Sequence, residues 1–369
     1  MIAIISPQFY GVHGIARYLD SFLANLPENH PTIYVITGDE YKVERHYKGV
    51  EIIDIPLNAN RFSLLSWMLK ARKIITQLHA EKKISVINLH IPPLIPGLLL
   101  PKHIPLILTA HTTYIGMSGL FYKKNYFVSQ WSRLEVRVKR MMEYLIFQRA
   151  EKIIALTEQG KQEVLTYGFK KPIAVIPNGV DTALFIPDST VAKEYDVMFC
   201  GRIERRKGSR AMVEVCQQLV VQKPGIRILI VGYGDDDAWV NTQLAANPNI
   251  KLTGKAKFAE MQSYYQRSQL YASTSYYEGL PGTCLEAMAM GLPAVVWDFL
   301  FYHELVIHDK TGMLVAPNQI DEMVSAIFLQ LKKLESDELI PNNQRIHIQK
   351  NYDWGNLSKQ VLAQICSSH

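Results

Sequence analysis

A chain of 369 residues, 48% hydrophobic and 20% charged, is too long for one small core and too apolar for disorder, so two domains of roughly 150–190 residues are expected. Its four cysteines, at positions 200, 216, 284 and 366, stand singly without a C-x-x-C pair, which argues against a zinc site or a disulfide framework and for a reducing, cytoplasmic compartment. Charge is uneven: residues 1–180 carry 22 Lys and Arg against 13 Asp and Glu, residues 181–369 carry 18 against 21, so an anionic partner is expected for the first half.

The chain begins with IAIIS, read as a first strand rather than a signal peptide. GVHGIARY follows, with Gly11 and Gly14 ahead of a helix expected from about Ile15. This is a weak glycine loop, short of the dinucleotide fingerprint, but it permits close backbone approach to an anion or sugar. TIYVIT, SVINLH, PLILTA, KIIAL and IAVIPN then alternate with amphipathic stretches. LHIPPLIPGLLLP is the longest apolar region, yet its four prolines predict a loop or short turns, and no stretch reaches the roughly 18 residues of a membrane span. PLILTA runs into His111, at the carboxyl end of a strand. Residues 118–149 are dense in aromatics and bases, among them Lys123, Lys124, Arg133, Arg137, Lys139 and Arg140. They read either as an element touching an anionic membrane or as an ordinary helix with a basic outer face. No nucleic-acid motif accompanies them, so no nucleic-acid partner is expected.

A polar, proline-marked stretch at about 181–194 predicts a linker, after which YDVMFCG, IRILIVG, NIKLTG, QLYAST, LPAVVWD and GMLVAP repeat the scheme. Continuous apolar strands separated by helical patterns indicate parallel sheets covered on both faces, hence an α/β fold of two Rossmann-like, doubly wound domains with ligands at the strands' carboxyl ends, in a cleft between them. YDVMFCG leads into GRIERRKG, where Arg202 and Lys207 can converge on a diphosphate, although a solvated basic loop reads the same way. QLYAST leads into EGLPGTCLEAMAMGLP, Glu278–Pro293. With a helix beginning near Thr283, Gly279–Gly282 form a turn that aims free N–H groups at a phosphate. Glu286 would fall in the first turn, as a capping acid or as an acceptor for ribose hydroxyls, while capping does not account for Glu278. Asp235-Asp236-Asp237 reads as the acidic start of a helix rather than a metal cluster, and WGNLSKQVLAQIC after Pro341 as a terminal amphipathic helix.

GRIERRKG, VGYG, the two glutamates of EGLPGTCLEAMAMGLPAVV eight positions apart, IPNGVD before the linker and ELVIHDKTGMLV after them resemble the retaining glycosyltransferases of family 4, which have the two-domain GT-B fold. The resemblance implies an acceptor domain over 1–180, a nucleotide-sugar donor domain over 195–350, and a C-terminal helix, 351–369, crossing back to the first domain. It further implies that Arg202 and Lys207 hold the donor diphosphate with help from Gly279, Leu280, Pro281, Gly282 and Thr283. Glu286 would meet the ribose, Glu278 the transferred sugar, His111 the sugar's primary hydroxyl and reacting centre, and Gly14 the donor phosphate or acceptor. Leu280-Pro281 departs from the commoner Phe-Gly of the family. Metal-independent front-face substitution is implied, with the leaving diphosphate helping to take the acceptor proton and no cofactor needed. The resulting expectation is a cytoplasmic, peripherally membrane-associated hexosyltransferase using a UDP-sugar to build a cell-surface glycan, such as lipopolysaccharide, on a glycan or lipid-linked acceptor. A nucleotide-sugar epimerase or hydrolase on the same scaffold, and a non-catalytic sugar-nucleotide-binding subunit, are the alternatives.

Overall fold

The computed structural model describes residues 1–7, 9, 14–38, 46–57, 63–92, 95–336 and 339–367. They form two compact units. One comprises Met1–Phe121, Gln130–Gly179 and Trp354–His369, the other Tyr122–Ser129 and Val180–Asp353.

In the first unit the strands are β1 (Ile2–Ile5), β2 (Ile33–Thr37), β3 (Val50–Asp54), β4 (Val86–Ile91), β5 (Leu106–Ala110), β6 (Lys152–Ala155) and β7 (Ile173–Val175). All pair in parallel, in the order β3-β2-β1-β4-β5-β6-β7. β1, β2, β4 and β5 are buried along their whole length, the reason they read as unbroken apolar runs. The second sheet holds β8 (Tyr195–Cys200), β9 (Ile228–Val231), β10 (Ile250–Leu252), β11 (Ser268–Ser273), β12 (Ala294–Trp297) and β13 (Gly312–Val315), ordered β10-β9-β8-β11-β12-β13 and again wholly parallel. In each sheet the chain winds outward from a central strand, then reverses, so the switch points lie between β1 and β4 and between β8 and β11. Two Rossmann-like, doubly wound α/β units are thus present, as the alternating pattern predicts.

The terminal helix spans Trp354–Cys366 and belongs to the first unit. Its Trp354 is fully buried and meets the Tyr18 ring edge-on at 4.9 Å. A Cβ on Gly179 would come within 2.9 Å of that indole, which explains the glycine of IPNGVD. Ser358 Oγ donates to the Asn25 carbonyl at 2.5 Å and Lys152 Nζ to that of Gln364 at 3.2 Å.

The structure corrects several expectations. Residues 118–149 are not one element. Tyr122–Ser129 belongs to the second unit, where Tyr122 packs on Phe299, and Tyr126 on Phe299 and Tyr276. Of these aromatics Phe127 is buried and Tyr122 and Tyr126 are half-buried against the second unit's Tyr276 and Phe299, so the basic, aromatic stretch is divided between two units. Only Arg133–Arg149 is a long helix, opened by a capping box between Ser132 and Glu135. Its Ile146 and Phe147 are fully buried, each worth about 1.5–3 kcal/mol. Edge strand β3, VEIID, carries Glu51 and Asp54 among its three apolar residues and so does not read as a buried run. Helix Leu339–Asn351 is too polar to read as a core element, yet its Arg345 Nη1 reaches the carbonyls of Ala289 and Phe185, both at 2.6 Å.

Candidate active site

In the second unit the carboxyl ends of β8 and β11 open at the switch point and carry the two glycine-rich loops singled out from sequence. After Cys200 the chain passes Gly201 and Arg202 into a single 3₁₀ turn, Arg205–Lys207, and helix Ser209–Gln222. Gly208 joins turn to helix at φ 73°, and a Cβ there would lie 1.9 Å from the Thr274 carbonyl oxygen. Only glycine allows the two loops to approach so closely. Thr274 Oγ1 donates to the Gly208 carbonyl at 3.0 Å, and the Tyr276 amide to that of Arg206 at 3.0 Å. Gly232 of VGYG has the same purpose: its Cβ would sit 1.8 Å from the Gly201 carbonyl oxygen.

The ionic groups are interlocked. Buried Glu204 takes Arg202 Nη2 at 2.8 Å and Nε at 3.2 Å on one oxygen and Arg206 Nη2 at 2.5 Å on the other. Arg206 Nη1 also donates to the Tyr277 carbonyl at 3.0 Å. Lys207 Nζ pairs with Glu278, whose other oxygen accepts from Ser275 Oγ at 2.9 Å. Burial outweighs these carboxylates and holds the Lys207 ammonium below the usual lysine range. Asp236 precedes helix Asp237–Leu244 as expected but makes no side-chain cap; it faces Arg205 at 3.4 Å and Arg210 at 3.6 Å.

Helix Gly282–Ala289 begins one residue earlier than expected, so Glu286 falls in its second turn. The carboxylate is buried, 2% exposed, and accepts the Tyr265 hydroxyl at 2.8 Å. It is therefore not a first-turn capping acid, because the preceding Pro281 sets the helix start a residue sooner. Thr283 Oγ1 is 2.9 Å from the Tyr271 hydroxyl and donates to the Cys200 carbonyl at 3.3 Å, tying the helix start to the end of β8. Leu280 and Pro281 are buried, Gly279 and Gly282 half-buried. The amides of Gly279, Leu280, Gly282 and Thr283 donate to no atom of the described residues. Arg202, Lys207, Glu278, the free amides and Glu286 thus belong to two adjoining loops and one helix start.

In the first unit, Gly14 opens helix Gly14–Ala24 with no atom within 4 Å of where its Cβ would be, while Gly11 lies outside the described residues. His111 follows β5, is buried, and meets Tyr18 edge-on at 4.8 Å. Two polar residues of β4 stand behind it. Asn88 Nδ2 donates to Thr109 Oγ1 at 3.0 Å and to the Ile107 carbonyl at 3.3 Å, which turns Asn88 Oδ1 towards His90 Nε2, 2.9 Å away. His90 Nε2 must then carry the proton. Its bare Nδ1, 2.9 Å from His111 Nε2, requires a proton on that nitrogen too. Burial pushes the His111 pKa down to about 3, and burial together with His111 pushes that of His90 well down, so both rings are neutral. His111 Nδ1 is left bare, without a hydrogen-bond partner among the described residues.

Glu204, Arg206, Ser275, Asn88 and His90 were not assigned site roles from sequence. The signals available were faint: one acid inside a basic run, and two polar residues in an apolar strand.

The model for "Glycosyltransferase Family 4" matches residues 12–184, and that for "Glycosyl transferases group 1" residues 194–332. An uncharacterized glycosyltransferase of Methanocaldococcus jannaschii is 23% identical over 283 residues, spanning 71% of this chain and 70% of that one. The amylovoran biosynthesis glycosyltransferase of Erwinia amylovora is 30% identical over 150 residues, 38% and 37% of the two chains. Alignments with other curated relatives, among them a phosphatidyl-myo-inositol mannosyltransferase, span 50–60% of those proteins. Anabaena HepE, solved in complex with UDP and glucose, superposes with a TM-score of 0.77 at 17% identity over 99% of both chains.

Proposed function

Because the chain belongs to glycosyltransferase family 4 and has the GT-B fold, we propose that it is a retaining, metal-independent hexosyltransferase that takes a UDP-sugar and extends a cell-surface glycan on a glycan or lipid-linked acceptor. The observation that carries this reading is the cationic pair Arg202 and Lys207 on a loop adjoining four amides that are unpaired among the described residues, at a parallel-sheet switch point. Cations and free N–H groups converging there suit a diphosphate. UDP in the structural relative HepE, and amylovoran biosynthesis in the Erwinia relative's name, support the donor class and the product class.

The chemistry follows from charge. As the bond from anomeric carbon to diphosphate oxygen breaks, negative charge grows on the leaving phosphate. Arg202, clamped by Glu204, and Lys207, held by Glu278, are preorganised cations for it and need no reorganisation during the step. On this route the leaving diphosphate accepts the acceptor's proton while the new bond forms on the same face, giving retention. His111, neutral with a bare Nδ1, accepts a hydrogen bond from a sugar hydroxyl; it is not a source of positive charge. Glu286 serves the ribose through its carboxylate. Gly14, free of a side chain, admits phosphate or acceptor.

The test is transfer from UDP-sugars to candidate acceptors in the presence of EDTA, with the product's anomeric configuration read by NMR. Retention without added metal is expected. An inverted product, or complete loss with EDTA, refutes the mechanism. Full turnover of donor alone identifies the epimerase or hydrolase instead.

A further inference from the structure

After β5 the backbone runs through His111, Thr112 and Thr113 into a single helical turn, Tyr114–Met117, with Thr113 as its N-cap. The His111 amide donates to the Ile91 carbonyl at 3.1 Å, and Thr113 Oγ1 accepts the Gly116 amide at 3.1 Å. One turn fixes many dihedral angles for few internal hydrogen bonds, so it does not hold its own geometry. The hold comes instead from two later helices of the same unit. Helix Arg133–Arg149 supplies Glu143, whose two oxygens each lie 3.0 Å from the Tyr114 amide nitrogen. Helix Glu158–Leu165 supplies Glu163, which accepts Thr113 Oγ1 at 2.5 Å. The Tyr167 hydroxyl donates to Glu143, and Gln159 Nε2 to Glu163 at 2.8 Å.

Glu143, Glu163, Gln159 and Thr113 are each only 1% exposed. Two acids at that depth are costly, and apolar side chains of similar volume would serve stability as well. Capping the turn requires only the threonine hydroxyl. What the two acids add is direction: they grip consecutive residues, Thr113 and Tyr114, two and three positions beyond His111. The His111 ring is held separately, by His90 of β4 through Nε2. Ring and backbone are thus fixed by different elements, and together they leave the bare Nδ1 one place to stand.

We propose that Glu143 and Glu163 are positioning residues of the transfer reaction, acting through Tyr114 and Thr113 to fix the backbone beyond His111 and so the direction of its Nδ1. Neither acid touches substrate. The proposal rests on His111 accepting a hydrogen bond from a sugar hydroxyl, as the transferase reading has it. The diphosphate-binding residues of that reading belong to the other unit, so loss of the grip leaves UDP binding in place. A reacting group displaced by about 1 Å loses on the order of 100-fold in rate, which makes kcat the sensitive quantity.

The test uses the full chain with Thr113→Val, which keeps the side chain's shape and removes its hydroxyl, Thr113→Ser, which keeps the hydroxyl, and Tyr167→Phe, which removes a donor to Glu143. Well below the melting temperature, Thr113→Val should lower kcat about tenfold or more, with UDP affinity within about twofold of the wild type. Thr113→Ser should stay within about threefold in kcat, and Tyr167→Phe should fall between the two. Combining Thr113→Val with Glu163→Leu should cost little beyond either alone, because both remove the same grip. NMR of histidine-labelled free protein reads the ring directly: one set of His111 signals in the wild type and in Thr113→Ser, a doubled or exchange-broadened set in Thr113→Val. Wild-type kcat in both Thr113→Val and Tyr167→Phe, with only the melting temperature lowered, makes the acids ordinary structural groups and overturns the proposal. So does an unchanged single set of His111 signals in Thr113→Val. A wild type that neither binds UDP nor transfers sugar refutes the transferase reading instead, and the His111 signals then decide whether the acids position the ring.

Discussion

Glu204→Gln probes the clamp that the structure places behind the donor cations. The carboxylate holds two guanidinium groups, Arg202 on one oxygen and Arg206 on the other. A glutamine keeps one acceptor oxygen and turns an N–H₂ towards the second arginine, so one charge-assisted bond is lost and the other weakened. Such bonds are worth about 1.5–3 kcal/mol when shielded. Arg202 is 61% exposed and its share is cut by solvent, whereas Arg206 is 23% exposed and keeps most of its own. The net cost is about 2 kcal/mol, which for a unit of this size lowers the melting temperature by about 4–8 °C. Because Arg206 also holds the Tyr277 carbonyl, the loop carrying Glu278 should loosen and UDP affinity should fall by about tenfold, the equivalent of 1.4 kcal/mol. Differential scanning calorimetry and titration calorimetry with UDP read the two effects. A variant that melts and binds like the wild type refutes the clamp.

Gly208→Ala should cost at least the roughly 1–2 kcal/mol of a left-handed non-glycine residue, and more because its Cβ meets the Thr274 carbonyl at 1.9 Å; thermal melts and UDP titration should fall together. His90→Phe removes the acceptor for His111 Nε2–H; the unsatisfied buried donor should cost about 1–3 kcal/mol and lower the melting temperature, and the ring that presents Nδ1 is no longer held, so kcat should fall with UDP affinity less affected. Burial raises the Glu143 pKa to about 8, against opposing hydrogen bonds from Tyr167 and the Tyr114 amide. The folded state therefore holds a proton that the unfolded chain releases near the ordinary glutamate value. This contribution is complete below that value and is lost as pH rises through about 8. Melting curves from pH 5 to 9 should show that decline in the wild type and a flatter profile in Glu143→Gln.

The fold was legible because parallel strands buried on both faces spell continuous apolar runs, as in IAIIS, PLILTA and YDVMFCG. What escaped lacked that signal. β3 lies at a sheet edge with Glu51 exposed. Helix Leu339–Asn351 works through Gln344 and Arg345, polar groups that satisfy buried carbonyls. Tyr122–Ser129 is local in sequence to one unit but packs in the other. At the site, Arg202, Lys207 and Glu278 could be read because glycines mark their loops and the family resemblance orders them. The loop-to-loop approach at Gly208, the double grip of Glu204 and the proton order through Asn88, His90 and His111 depend on contacts between separate strands, which no local pattern encodes. The depth of Glu286 likewise depends on Tyr265, a residue of another helix.

The most direct measurement is UDP affinity by titration calorimetry for the wild type and for Arg202→Ala and Lys207→Ala. Each lost charge-assisted contact with the diphosphate should weaken binding at least about tenfold; the free Arg202→Ala protein should keep most of its melting temperature because Arg202 is exposed, whereas Lys207→Ala leaves Glu278 unpaired and should also melt lower. Wild-type affinity in both variants would contradict a nucleotide diphosphate held at the ends of β8 and β11.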